Sequence, residues 1–394
     1  MNNSGEDSSW RSSDRKALST QQQPKSLAHW CLFCCLTGIS LSNVACTLVP
    51  PLPTPPKSPQ TTLNQVIFKQ MDAQGQLLWT IQATKAVTTD PHQVYLYRLR
   101  GTFYDQGKAI YHLQARQGQI RQQPTFIQLQ GSIVVQDVDH HSTLRSQRIQ
   151  WHPQSGDLTT QSKVTLDHPH FQIQGQRLQA STRTHHTQIT GQVTVNLPDQ
   201  GGQLQADRMT WWPRQHRIQA SNSEANPFVK LVLNSSSGQP VFQQRAQAEG
   251  MELWLRSQQL ILHPSAQVSI TSPQMQLNSQ KLILDLEKQE WQSPQPIKIQ
   301  HQGIIATAQQ GKLNGQGQLQ LLNQVNLTGL PQRGHLQTQH LSWNLITQQV
   351  EAQGSLAYQQ PSPWLHLTGA RAVGNLRDQT LQVQGGRVSA DLVP

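Results

Sequence analysis

Histidine and cysteine are the residues in this sequence with the clearest capacity for chemistry, and both are unevenly placed. Histidines gather at His140-His141 (preceded by Asp139), at His168-Pro169-His170 and at His185-His186. Imidazole pairs next to an aspartate invite a metal site or phosphoesterase chemistry. A zinc centre, however, needs three or four donors converging on one point. Turn residues flank all three groups, and no carboxylate stands at ligand-like spacing, so we expect solvated loop histidines and no metal. Cys31-x-x-Cys34 has redox or metal spacing, but it lies in an apolar run with Cys35, and the last cysteine is Cys46. The rest of the chain therefore has no thiol or disulfide chemistry. No Gly-x-Ser-x-Gly elbow, paired-carboxylate site or Gly-x-x-x-x-Gly-Lys-Ser/Thr loop occurs. The expectation is a protein that is not an enzyme and needs no cofactor.

The elements must explain what the residues do not. Of the 394 residues, 35% are hydrophobic and 13% charged, with much of the remainder Gln and Thr. That is too little apolar material for one thick core, whose usual share is nearer 45–50%. It suits a thin architecture in which each element buries one narrow face. The formal net charge is +10, which reads first as a basic, solvated surface and otherwise as attraction to phosphate-bearing partners: nucleic acid, a membrane surface or an anionic glycolipid. No long Lys/Arg run and no nucleic-acid signature accompanies it, so nucleic acid is not expected.

Residues 1–46 read as a targeting segment rather than fold. Arg11, Arg15, Lys16 and Lys25 precede an apolar stretch from Leu27 to Ala45, the pattern of an export signal or membrane anchor. Val44-Ala45-Cys46 resembles a lipobox, with Asn43 where Leu is preferred. Two outcomes stay open: lipidation at Cys46, or an uncleaved transmembrane anchor just long enough to span a bilayer. Residues 47–60 are proline-rich and read as an extended linker.

Residues 61–394 repeat weakly, at about thirty residues. One phrase is apolar-x-Gly-x-apolar-x-apolar: Leu129 to Val135 around Gly131, Ile189 to Val195 around Gly191, Ala352 to Tyr358 around Gly354, and a shorter copy around Gly101. A second is apolar-x-Trp/Leu: Ile149-Gln-Trp151, Met209-Thr-Trp211, Leu282-Ile-Leu284 and Leu341-Ser-Trp343. Within each unit apolar residues alternate with Gln, Thr, Arg or His, as in Leu77-Leu-Trp79-Thr-Ile81-Gln-Ala83. Period two marks strands with one buried and one wet face. A β-helix would want shorter, more regular coils, and a transmembrane barrel would want apolar bands and aromatic girdles. The pattern favours an all-β fold: an elongated, open antiparallel β-jelly-roll of two facing sheets, with roughly thirty strands. At about 4.8 Å per strand, fifteen strands per sheet would extend on the order of 70 Å.

These phrases, with the anchor and proline spacer, resemble the LptC family of lipopolysaccharide export proteins, in its long, several-repeat cyanobacterial form. The OstA-like jelly-roll of that family is shared with LptA and the N-terminal part of LptD. The resemblance covers about residues 61–394 and is most telling over Leu367 to Val388. It implies a periplasmic conduit, tethered to the inner membrane, that receives lipopolysaccharide from an ABC transporter. Its partners would be the transporter permeases and an LptA-like bridge or the N-terminal domain of LptD, joined edge to edge by β-augmentation. A short member has one jelly-roll module and this chain is about twice as long, which leaves open whether a separate bridge is needed. The inward-facing candidates for the lipid groove are Trp79, Ile81, Tyr111, Leu113, Leu129, Ile133, Ile149, Trp151, Val193, Val195 and Trp211. Each is equally a candidate for plain core packing. The alternative from another class is an exported β-repeat polysaccharide-binding, adhesion or envelope scaffold protein. It would display exposed aromatic platforms, whereas the Trp residues here sit at inward positions.

Overall fold

The computed structural model describes residues 61–394, apart from 73, 91, 123–124, 235–242, 386 and 394. These residues fall in the unit Lys57–Pro394. The expected anchor, Cys46 and the linker lie outside the described residues. Among the described residues no helix is long and apolar enough to cross a membrane.

Among the described residues there are thirty strands, every pairing antiparallel, and they make up most of the unit. The first six follow one another as neighbours: β1 (Thr61–Met71), β2 (Leu77–Asp90), β3 (Gln93–Asp105), β4 (Lys108–Gln122), β5 (Thr125–Asp137) and β6 (Thr143–His152). At β6 the pairing divides in two. Residues 150–152 pair with Asp157–Thr160, which starts ladder A, and residues 143–146 with Val164–His168, which starts ladder B; the halves of the earlier strands in line with each carry the same letter. Ladder A continues through Arg177–Ser181 and ladder B through Phe171–Gly175, and both rejoin on the long strand His186–Leu197. The next strand, Gly202–Trp212, divides again in the same way. Short strands carry the ladders separately until Gln318–Leu330 spans both. Three more long strands complete the unit: Gly334–Asn344, Gln349–Pro361 and Trp364–Asn375. The last of these pairs with both Thr380–Gln384 and Ser389–Val393.

The glycine phrase makes the corner between ladders. Register shifts fall between Gln130 and Ile133, Thr190 and Val193, and Gln353 and Leu356. The two residues skipped in each case have positive φ: Gly131 and Ser132, Gly191 and Gln192, Gly354 and Ser355. Such a bulge bends a strand sharply, and glycine meets the left-handed geometry without strain. A Cβ on Gly131, Gly191 or Gly354 would also stand 3.1–3.2 Å from the Cβ of Arg116, Gln176 or Gln339 alongside it. The fourth copy differs from the other three. Gly101 has ordinary φ, and β3 turns its corner at Arg98 (φ 48°), three residues earlier. The motif was matched on glycine, whereas the corner demands only the backbone conformation.

The two ladders face each other across their apolar sides. Burial alternates along the short strands, as in Ala266–Thr271, and the apolar-x-Trp phrases are buried throughout. Rings meet between ladders. Trp151 on ladder A is edge-on to Phe103 (4.6 Å between centroids) and Trp79 (5.4 Å) on ladder B, and Trp211 is edge-on to Phe171 (5.2 Å). This is the thin two-layer core that the low apolar content requires.

Candidate functional site

Corners close one side of the roll. On the other side the hairpin ends of the two ladders form two lips. Lip A includes the turns at 181–186 and 212–217, and lip B those at 105–108, 137–143 and 168–171. Between them opens an apolar cavity with about 770 Å³ of atom-free space, mouth included. Five of the eleven groove candidates line it: Tyr111, Leu113, Leu129, Trp151 and Trp211. Ile81, Ile133, Ile149, Val193 and Val195 are buried in the same core but do not reach the cavity. Trp79 is half-buried and packs behind Trp151. The indole N–H groups of Trp151 and Trp211 are buried with no hydrogen-bond partner in the protein.

Sequence reasoning missed several lining residues, including Phe103, Val135, Leu144, Leu158, Leu166 and Leu178. The signal was there for Leu178, which alternates with Ala180. It was absent for Leu158, on a four-residue strand too short to show a period.

The mouth is polar and its lips touch. Arg214 on lip A donates to Asp105 on lip B at 3.2 Å, and His185 Nε2 stands 3.9 Å from the same carboxylate. The Tyr111 hydroxyl meets His185 Nδ1 at 3.4 Å. Burial, then the Asp137 carboxylate, raises the Tyr111 phenol above its ordinary value, so it stays protonated and can donate. Burial, then the Arg214 charge, lowers the His185 imidazole below its ordinary value.

Of the histidines expected to be solvated in loops, His141 and His170 are exposed, whereas His140, His168, His185 and His186 are partly buried. His140 Nδ1 lies 3.1 Å from Asp137, three residues before it, and His170 Nδ1 lies 3.0 Å from Asp199, a carboxylate that arrives through the fold. His140 and His216, from opposite lips, have ring centroids 6.2 Å apart. His168 stacks on Phe171 at 4.4 Å and meets Trp211 edge-on. That burial, followed by repulsion from His170, His140, His216 and His141, pushes its pKa down to about 4. Among the described residues no group of three or more His, Cys, Asp or Glu is placed to hold a metal ion.

Among the described Trp residues Trp151, Trp211, Trp291 and Trp343 are buried, whereas Trp212 and Trp254 are only partly buried and stack under the Arg217 guanidinium. Trp364 departs from the expectation and is 43% exposed, next to His366. Its strand lies one hairpin from the end of the ladders, where fewer neighbours cover it.

Residues 30–197, somewhat less than half of the chain, match the family described as lipopolysaccharide-assembly, LptC-related. No curated protein matches the chain. Among solved structures it is similar to LptH from Pseudomonas aeruginosa, the LptA homologous periplasmic component of the conserved lipopolysaccharide transport device. The identity is 11%, covering 30% of this chain and 78% of that one, with a TM-score of 0.26.

Proposed function

We propose, taking residues 30–197 as a segment of the LptC-related, lipopolysaccharide-assembly family, that this chain is a periplasmic carrier that holds lipopolysaccharide by its acyl chains. The observation that carries the proposal is the apolar cavity between Trp151 and Trp211, which opens between polar lips. Acyl chains entering it leave water at about 25 cal/mol per Å² of buried apolar surface. Sugars and phosphates stay outside, where Arg214 and Lys108 offer cations and His140 and His185 offer donors.

The finer reading follows the same chemistry. Residues 27–45 or a lipidated Cys46 tether the chain to the inner membrane, residues 47–60 space it from the bilayer, and an ABC transporter supplies direction. The chain carries and does not catalyse. Its free sheet edges suit partners that join by strand addition. Among the described residues β1 pairs with β2 alone and exposes Leu63, Ile67 and Met71, and at the far end Thr380–Gln384 and Ser389–Val393 each pair on one side only. Unpaired edges of this kind are templates for another chain's strand.

Equilibrium binding of labelled lipopolysaccharide to the full chain in mild detergent tests the proposal. Ala180→Phe fills the cavity from its lip and should weaken binding about tenfold, while the outward Thr194→Phe should leave it unchanged. Both variants are checked for retained β signal by circular dichroism. Equal binding by the folded Ala180→Phe protein would remove the cavity from the account.

A further inference from the structure

The mouth between the lips continues beyond the family-matched residues, and polar contacts interrupt it at two places. The Trp291 indole N–H on lip A donates to Gln244 Oε1 on lip B at 2.8 Å. Further along, the Gln348 side-chain amide on lip A reaches His301 Nε2 on lip B at 3.1 Å, and both side chains are buried. His301 Nδ1 is 2.8 Å from the Gln274 carbonyl, so that N–H is donated there and Nε2 is left to accept from Gln348. Gln348 is fixed by a second bond to the Leu345 carbonyl at 2.7 Å, and Trp343 lies edge-on to the His301 ring at 5.4 Å.

Apolar space reappears between and after these bridges. Ile270, Met275, Trp291, Leu313 and Leu345 line one cavity, with about 380 Å³ of atom-free space. Leu327, Leu330, Leu336, Tyr358, Leu376 and Leu381 line another, with about 570 Å³. Both sit between hairpin ends of ladder A and ladder B, as the first cavity does. The order along the mouth is therefore cavity, bridge, cavity, bridge, cavity.

Resting on the carrier reading above, we infer that these are two further acyl-chain sites, and that the Gln244–Trp291 and His301–Gln348 bridges divide the mouth into discrete steps. The occupant is a saturated acyl chain of the same lipid. The two ladders run unbroken from the first cavity to the last, and at each one aliphatic and aromatic side chains share the lining with polar ones, such as Gln244, Ser272 and Asn314 at the second and Gln332, Asn375 and Thr380 at the third. The bridges suit a passing chain. Each joins side chains across the lips rather than backbone, so rotation of Gln244 or Gln348 opens it without unpairing a strand. The mouth of the first cavity differs, because an ion pair, Asp105–Arg214, spans it.

The test uses the full chain in mild detergent with myristic acid carrying a terminal diazirine, irradiated and mapped by tandem mass spectrometry. Three clusters of adducts are expected, one at each cavity. Ser272→Phe, at the exposed rim of the second cavity, should reduce that cluster at least fivefold and spare the first. Gln244→Ala with Gln348→Ala should raise the ratio of third-cluster to first-cluster adducts severalfold. Adducts confined to residues 103–213 would overturn the two downstream sites while leaving the carrier reading intact. An unchanged ratio in the double variant would overturn the division into steps. Absence of adducts anywhere would overturn both the inference and the reading it rests on.

Discussion

His168 links side-chain burial to solution behaviour. Its ring is held between Phe171 and Trp211, and the folded protein takes up its proton only near pH 4, against an ordinary value of 6.5. Between those values the unfolded chain binds more protons than the folded one, so acid favours unfolding. The contribution of His168 is thus intact above about pH 6.5, is lost as pH falls toward 4, and changes no further below that. His185, lowered by burial and by Arg214, acts in the same direction. Urea midpoints measured from pH 7.5 to 4 should fall with acid, and His168→Phe should flatten part of that fall. A variant with the parent's full pH slope would show that the ring is not held as described.

Among the elements, the corners are the decisive feature, and they show what the sequence could and could not reveal. Gly191→Ala places a Cβ at φ 86° and 3.1 Å from Gln176 Cβ, and should cost about 1–2 kcal/mol in urea unfolding. Gly101→Ala, with ordinary φ and neighbours no nearer than 3.4 Å, should cost well under half of that. Equal losses would mean that the positive-φ bulge is not what Gly191 supplies. Alternation and the repeat were legible because a thin two-sided sheet leaves period two in every strand, and the strand count near thirty followed from them. Corners at Arg98, Gln65 and Asn323-Gln324 were not legible, since non-glycine residues adopt the same conformation there. The groove was half legible. Inward positions such as Leu129 and Trp211 could be read from the period, but which of them reach a cavity depends on cross-ladder contacts. The His170–Asp199 pair joins turns 29 residues apart, beyond the reach of local spacing, whereas the His140–Asp137 pair is three residues apart.

On the scale of the whole unit, the structure gives one apolar interior shared by two ladders, with polar lips on one side and unpaired strands at both ends. Core packing and lipid holding draw on the same side chains, so the first cavity is where the two roles separate: it is lined but not filled. The central claim is that acyl chains of lipopolysaccharide occupy it during export. The direct measurement is in-cell photo-crosslinking from residues 113, 129 and 178, which line the cavity, with the outward Gln130 and Thr194 as controls. The account predicts lipopolysaccharide adducts at the three lining positions, lost when the transporter is inactivated, and none at the controls. A folded, exported protein with no adducts at any lining position would contradict it and leave the cavity as part of a scaffold's core.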